Sequence, residues 1–156
     1  MNLSIIYSKL DKQQTNLIKS NILKVKSSWK KELRYVNSMS SGFWPEYDWF
    51  KKLNNQLLNE VNNLTNKPHK VSCYWANYYK KGHSATIHNH SCEKISAIVI
   101  IKASKSNPLQ FVIGKNKYRI HEQDGLVLYF DSRINHEVLK CDESRITLAV
   151  DFIDEV

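Results

Sequence analysis

The sequence predicts a mostly β protein with flanking helices, an α+β chain whose N-terminal helices pack on the outside of one β-sandwich. Three observations predict it. Helical spacing of apolar residues is confined to the first 70 residues. Strand-length apolar runs separated by turn signals fill the chain from Val71 onward. The last of these runs, "RITLAVDFI", divides by alternation into a polar and an apolar side. With 156 residues the chain is long enough for one domain with a proper core and short for two. Residues 1–156 are therefore read as a single domain, with 1–70 mainly helical support and 71–156 the sandwich core that carries the site.

The elements follow in order. Leu10, Leu17, Ile18, Ile22 and Val25 recur at a loose three-to-four spacing and predict a first helix. "NSMSSGFWPEYDWF" breaks that pattern, and a second helix is expected to begin near Pro45, where proline suits a first turn and Glu46 and Asp48 suit the positive helix end. Its apolar stripe is Phe50, Leu53, Leu57, Val61 and Leu64. "SCYWANYY", "ISAIVII", "LQFVIG", "KYRIH", "GLVLYF" and "RITLAVDFI" then read as strands, with "ISAIVII" apolar enough to be covered on both faces. In the last run Ile146, Leu148, Val150 and Phe152 share the side that can pack on the helices. Arg145, Thr147, Ala149 and Asp151 share the other, which calls for a polar cavity.

Composition narrows the function classes. No apolar run approaches the roughly 20 residues that cross a bilayer. The N-terminus lacks the basic cluster and cleavage pattern of a signal peptide. Three cysteines without CxxC spacing read as reduced thiols, so a cytoplasmic protein is expected. The formal charge is +8, and residues 1–70 hold 12 Lys+Arg against 5 Asp+Glu. Such a half suits either a solvated helical surface or an acidic partner such as nucleic acid.

The stretch "ATIHNHSCE" sets His88 and His90 two apart, on one side of the chain if it is extended. Two imidazoles there offer neutral nitrogen donors to one metal ion, and His136, just after "GLVLYF", offers a third from a neighbouring strand. Arg145 lies nine residues past His136, with Thr147 on the same face. A guanidinium and a hydroxyl together suit a carboxylate, so either a carboxylate-bearing cosubstrate or a structural partner, Asp151 or Asp142, is expected to satisfy the arginine.

The order "YYKKG", "HNH", "ISAIVII", "GLVLYFDSRINHEV" and "RIT" across about residues 72–152 resembles the 2-oxoglutarate/Fe(II)-dependent dioxygenases, especially their small prolyl-hydroxylase-like bacterial and viral members. The resemblance implies a double-stranded β-helix, or jelly roll, with helices packed on one sheet. It implies Fe(II) held by His88, His90 and His136, with His90 standing where most relatives place an aspartate. Arg145 and Thr147 would take the far carboxylate of 2-oxoglutarate, with Tyr79 and, less directly, Asn77 beside it. The implied reaction couples decarboxylation of 2-oxoglutarate to hydroxylation of an unactivated C–H bond in a peptidyl or small-molecule substrate. Since the usual facial triad is two histidines and a carboxylate, Glu93 is a second candidate for the third ligand.

Two other readings remain open at this point. Gly82, His88, His90 and Glu93 nearly match the first motif of a cupin, a metal-dependent enzyme of the same architecture, although cupin chemistry does not require Arg145-Ile146-Thr147. A nucleic-acid-binding module without catalysis would use the basic half alone. The remaining histidines, His69, His83 and His121, read as surface or satisfied side chains.

Overall fold

The computed structural model describes residues 5–25, 30–32, 38–40, 47–90 and 93–156. In chain order the elements are β1 (Ile6–Lys9), α1 (Lys12–Val25), β2 (Lys30–Glu32), β3 (Ser38–Ser40), α2 (Asp48–Thr65), β4 (His69–Tyr79), β5 (Ala85–His88), β6 (Ile95–Lys102), β7 (Leu109–Ile113), β8 (Asn116–Arg119), β9 (Leu126–Asp131), β10 (Asn135–Val138) and β11 (Arg145–Asp154). A seven-stranded sheet runs β1-β9-β6-β11-β4-β3-β2 and a four-stranded sheet runs β5-β10-β7-β8. Every neighbouring pair is antiparallel. This is a jelly roll with helices on the larger sheet. Among the described residues no helix is long and apolar enough to cross a membrane.

Strand alternation divides the core in two. Ile146, Leu148, Val150 and Phe152 of β11 join Ala97 and Val99 of β6 and Val127 of β9 in a cluster with Ile18, Ile22, Phe50, Leu53, Leu57 and Val61 of the helices. The opposite faces contribute Ile98, Ile100, Leu128 and Phe130, which meet Leu109, Phe111 and Val138 of the smaller sheet. Period-two sequence thus becomes two apolar layers with the seven-stranded sheet between them. "ISAIVII" is buried throughout, because β6 is central in that sheet and covered on both sides.

The helices differ from the sequence reading at their edges. Leu10 precedes α1, and Asp11 caps the helix by accepting the Gln14 amide at 2.7 Å. Ile18 and Ile22 are buried while Leu17 is 57% exposed. Adjacent helical residues stand about 100° apart, so Leu17 and Ile18 cannot both centre on one buried face. The Val25 side chain and Pro45 lie outside the described residues. Helix α2 buries Phe50, Leu53, Leu57 and Val61 as expected, but Leu64, in its last turn before a left-handed Asn66, is 46% exposed. The first 70 residues also hold strands. β1 pairs with β9, and Gly125 fastens that junction. Its φ of +88° suits glycine, and a Cβ there would stand 2.8 Å from Thr15 Oγ1 and 3.0 Å from the Leu10 carbonyl oxygen.

A candidate metal centre joined to an anion pocket

β-Pairing brings the histidines together. β5 and β10 are antiparallel neighbours in the smaller sheet, with His88 directly opposite His136. His90 lies just beyond β5, where its amide donates to the Ser132 carbonyl at 2.7 Å. The three rings stand 4.4–5.4 Å apart between centroids, and one nitrogen from each lies within 4.8 Å of the others. Glu93 is not part of this cluster. Its Oε1 accepts from Ser72 Oγ at 2.9 Å. Glu137, next to His136 in sequence, turns away from the cluster and meets Gln110 and Lys117.

The hydrogen bonds fix which nitrogen faces the centre. His88 Nδ1 lies 2.7 Å from the Thr86 carbonyl and His136 Nδ1 lies 3.1 Å from the Ile134 carbonyl. A carbonyl only accepts, so both rings carry the proton on Nδ1 and the lone pair on Nε2. His90 Nδ1 lies 3.0 Å from Asp151 Oδ1. Its Nε2 is buried without a hydrogen-bond partner. An orphaned buried acceptor is costly, and a cation among three such nitrogens would satisfy it. Burial, assisted by the two neighbouring imidazoles, pushes His136 down to about 3, so it stays in the neutral form that ligates metal. The donor set therefore fits a borderline divalent ion such as iron.

One pocket runs from the three histidines to Arg145, with Asn77, Tyr79, Thr147 and Trp75 along it. β4 and β11 are antiparallel and place Arg145 opposite Tyr79 and Thr147 opposite Asn77. This is the polar face of β11 expected from alternation. Arg145 is 1% exposed. Its guanidinium carbon stands 5.1 Å from the centre of the Tyr79 ring. Burial pushes the Tyr79 phenol up to about 12 despite the opposing pull of Arg145.

The arginine's resident partner is Glu122, which neither sequence alternative named. Arg145 Nε donates to both Glu122 oxygens at 3.0 Å. Nη2 stands 2.8 Å from Oε1 as an ion pair, outside good hydrogen-bond geometry. Burial works against the guanidinium charge, and Glu122 more than offsets it, so the group stays above its ordinary value. Asp142 instead accepts from Ser104 Oγ at 2.6 Å, and Asp151 belongs to the histidine end. Glu122 sits in the irregular segment between β8 and β9, where no periodic pattern marks an inward side chain.

The other histidines behave as read. His69 is buried but satisfied, with Nδ1 3.0 Å from the Lys67 carbonyl and Nε2 3.5 Å from Asp154, and His83 Nδ1 accepts the Lys80 amide. Ser96 and Asp151, buried behind His90, escaped the sequence reading as parts of the histidine site. Only Asp151's inward face was legible.

No family model and no curated protein matches this sequence. Solved structures do match its fold. A prolyl-4-hydroxylase of Pseudomonas putida superposes with a TM-score of 0.78 at 12% identity, over 99% of this chain and 95% of that one. The viral collagen prolyl hydroxylase of Paramecium Bursaria Chlorella virus-1, in its 2OG complex, gives 0.74 at 14% identity, over 97% and 96%. The epimerase SnoN, in complex with Fe3+, alpha ketoglutarate and nogalamycin RO, gives 0.79 at 9% identity, over 96% and 78%. The fold is that of the 2-oxoglutarate/Fe(II) oxygenases, prolyl hydroxylases among them. At these identities, and with an epimerase among the likenesses, the fold leaves the reaction undetermined.

Proposed function

We propose that this chain is an Fe(II)- and 2-oxoglutarate-dependent oxygenase that hydroxylates an unactivated C–H bond. The observation that carries the reading is the unpartnered His90 Nε2, buried beside two other imidazoles in a pocket that also reaches Arg145. His88, His90 and His136 would hold iron through Nε2. Arg145 and the Thr147 hydroxyl would receive the far carboxylate of 2-oxoglutarate through charge-assisted contacts. Tyr79 supports the guanidinium with its ring face, and Asn77 offers an amide beside Thr147. The buried side chains of Ile98, Leu109 and Val138 along the same pocket keep water from the reacting atoms.

Iron and 2-oxoglutarate together supply the oxidising chemistry. The balance is one O2, one 2-oxoglutarate and one R–H consumed, with succinate, carbon dioxide and R–OH formed. The protein's part is to orient the reactants. The test is anaerobic loading with Fe(II), then succinate release on adding oxygen and 2-oxoglutarate. Stoichiometric succinate supports the reading, and none from iron-loaded protein contradicts it.

One observation favours a second reading. Glu122 already meets much of the Arg145 charge, as would suit a cupin-type metal-dependent enzyme that uses no 2-oxoglutarate. Bound iron with no 2-oxoglutarate-dependent succinate would select it.

A further inference from the structure

We propose that Asp151 is a positioning residue that completes the metal centre from behind His90, in place of the carboxylate that the three-histidine set lacks. The inference rests on the metal reading above and deepens it. Asp151 Oδ1 lies 3.0 Å from His90 Nδ1, across 61 residues of sequence. The same oxygen accepts from Ser96 Oγ at 2.5 Å. Ser96 Oγ meets Ser132 Oγ at 2.9 Å, and the Ser132 carbonyl takes the His90 amide at 2.7 Å. The bonds close a ring through β11, β6, the turn after β9 and the segment after β5. The carboxylate cannot swing away without breaking it.

The ring is dry. Asp151 is 2% exposed, Ser96 1% and Ser132 0%. A carboxylate in such a place is costly without an opposite charge. Among the described residues no lysine or arginine lies within ion-pair distance of Asp151, and its ion-pair contact is the His90 ring. A divalent cation on the far nitrogen of that ring supplies the missing charge. The benefit runs both ways. A ring that donates Nδ1–H to a carboxylate is fixed in one tautomer and is a better donor at Nε2. His88 and His136 lean on neutral carbonyls, so His90 is the ligand backed by an anion. A divalent ion with three imidazoles and Asp151 then carries the same total charge as one held by two imidazoles and a directly bound carboxylate. The charge has moved one residue outward.

β11 places Asp151 there for a simple reason. Residues at steps of two share a face, so one strand sets Arg145 and Thr147 along the anion end and Asp151 behind the metal end, with small Ala149 between.

The test is Co(II) uptake under argon, read by visible absorption and chelator competition, in the parent protein, Asp151→Asn and Ser96→Ala. The metal-free proteins are compared in parallel by 15N NMR of the histidine rings, with Asp151→Ala added. Asp151→Asn keeps the shape and removes the charge, and about 10–100-fold weaker uptake is expected. In Asp151→Ala the His90 ring should lose its fixed Nδ1–H form while His88 and His136 keep theirs. That signal reports the Asp151–His90 contact itself, apart from any change in folding. Should Asp151→Asn fail to fold, Ser96→Ala carries the test, with several-fold weaker uptake expected. Uptake by the folded variant equal to the parent's, with the His90 tautomer unchanged in Asp151→Ala, overturns this inference alone. A parent protein that takes up no cobalt overturns both it and the metal reading.

Discussion

The two ends of the pocket are built on opposite plans. At the histidine end the chain satisfies every Nδ1 and leaves the buried Nε2 of His90 with no protein partner. At the arginine end the chain supplies its own counter-charge, Glu122, which accepts from Nε and lies 2.8 Å from Nη2. The first end calls for a ligand, and the second is stable without one. A buried ion pair such as Arg145–Glu122 can hold a side chain in place before its ligand arrives, at the cost of a weaker net charge for that ligand to meet. Metal and cosubstrate binding should therefore respond differently to mutation.

The largest expected effect is at the histidine end. His136→Ala removes a ligand that β-pairing sets directly opposite His88. Metal uptake and turnover should both be abolished, as measured by metal analysis and succinate release. If the variant retains metal, the pairing of the two ends as drawn here breaks down.

Arg145→Ala comes next. It should spare the metal and weaken 2-oxoglutarate on the order of 100-fold, the loss of two charge-assisted bonds at about 1.5 kcal/mol each. It also strands Glu122, so a lower melting temperature is expected. Calorimetric titration of the metal-loaded protein with 2-oxoglutarate separates the two effects.

Glu122→Gln sharpens the contrast further. It keeps the shape of the partner and removes its charge, so stability should fall by about 1–3 kcal/mol. Metal affinity should be unchanged, and cosubstrate affinity should move by less than about tenfold because glutamine keeps an acceptor for Arg145 Nε and the guanidinium keeps its charge. A loss of 2-oxoglutarate binding as large as that of Arg145→Ala would show that Glu122, and not Arg145 alone, sets the anion site.

The smallest effect concerns Cys73, whose thiol lies 3.5 Å from Asp151 Oδ2. Although Cys73 is an exposed residue, desolvation of its thiol, then the Asp151 charge, pushes it up to about 12, so it holds its proton. Alkylation of Cys73 at pH 8, followed by peptide mapping, should be about tenfold or more slower than for a free cysteine. A fast reaction would mean that the Asp151 charge is already compensated from another side.

Much of this was legible in the sequence, and the reason is periodicity. Alternation along "RITLAVDFI" put Arg145, Thr147 and Asp151 on the inner face, and the three-to-four spacing of Phe50, Leu53, Leu57 and Val61 gave the buried face of α2. The HxH spacing and His136 pointed to a cluster that the strand register then forms. What stayed hidden depends on partners far away in sequence. β1 is four residues long, too short for a period to show, and exists through its pairing with β9. Glu122 lies in irregular chain with no facing rule, so its burial beneath Arg145 could not be read. His90 and Asp151 each carried a signal, but their contact follows from the packing of one sheet on the other.

The most direct measurement is X-ray absorption at the iron edge of the anaerobically Fe(II)-loaded protein. The expected spectrum has the outer-shell scattering of three imidazoles and no carboxylate bound directly from the chain. Two or fewer imidazoles, or a bound carboxylate such as Glu93, would contradict it.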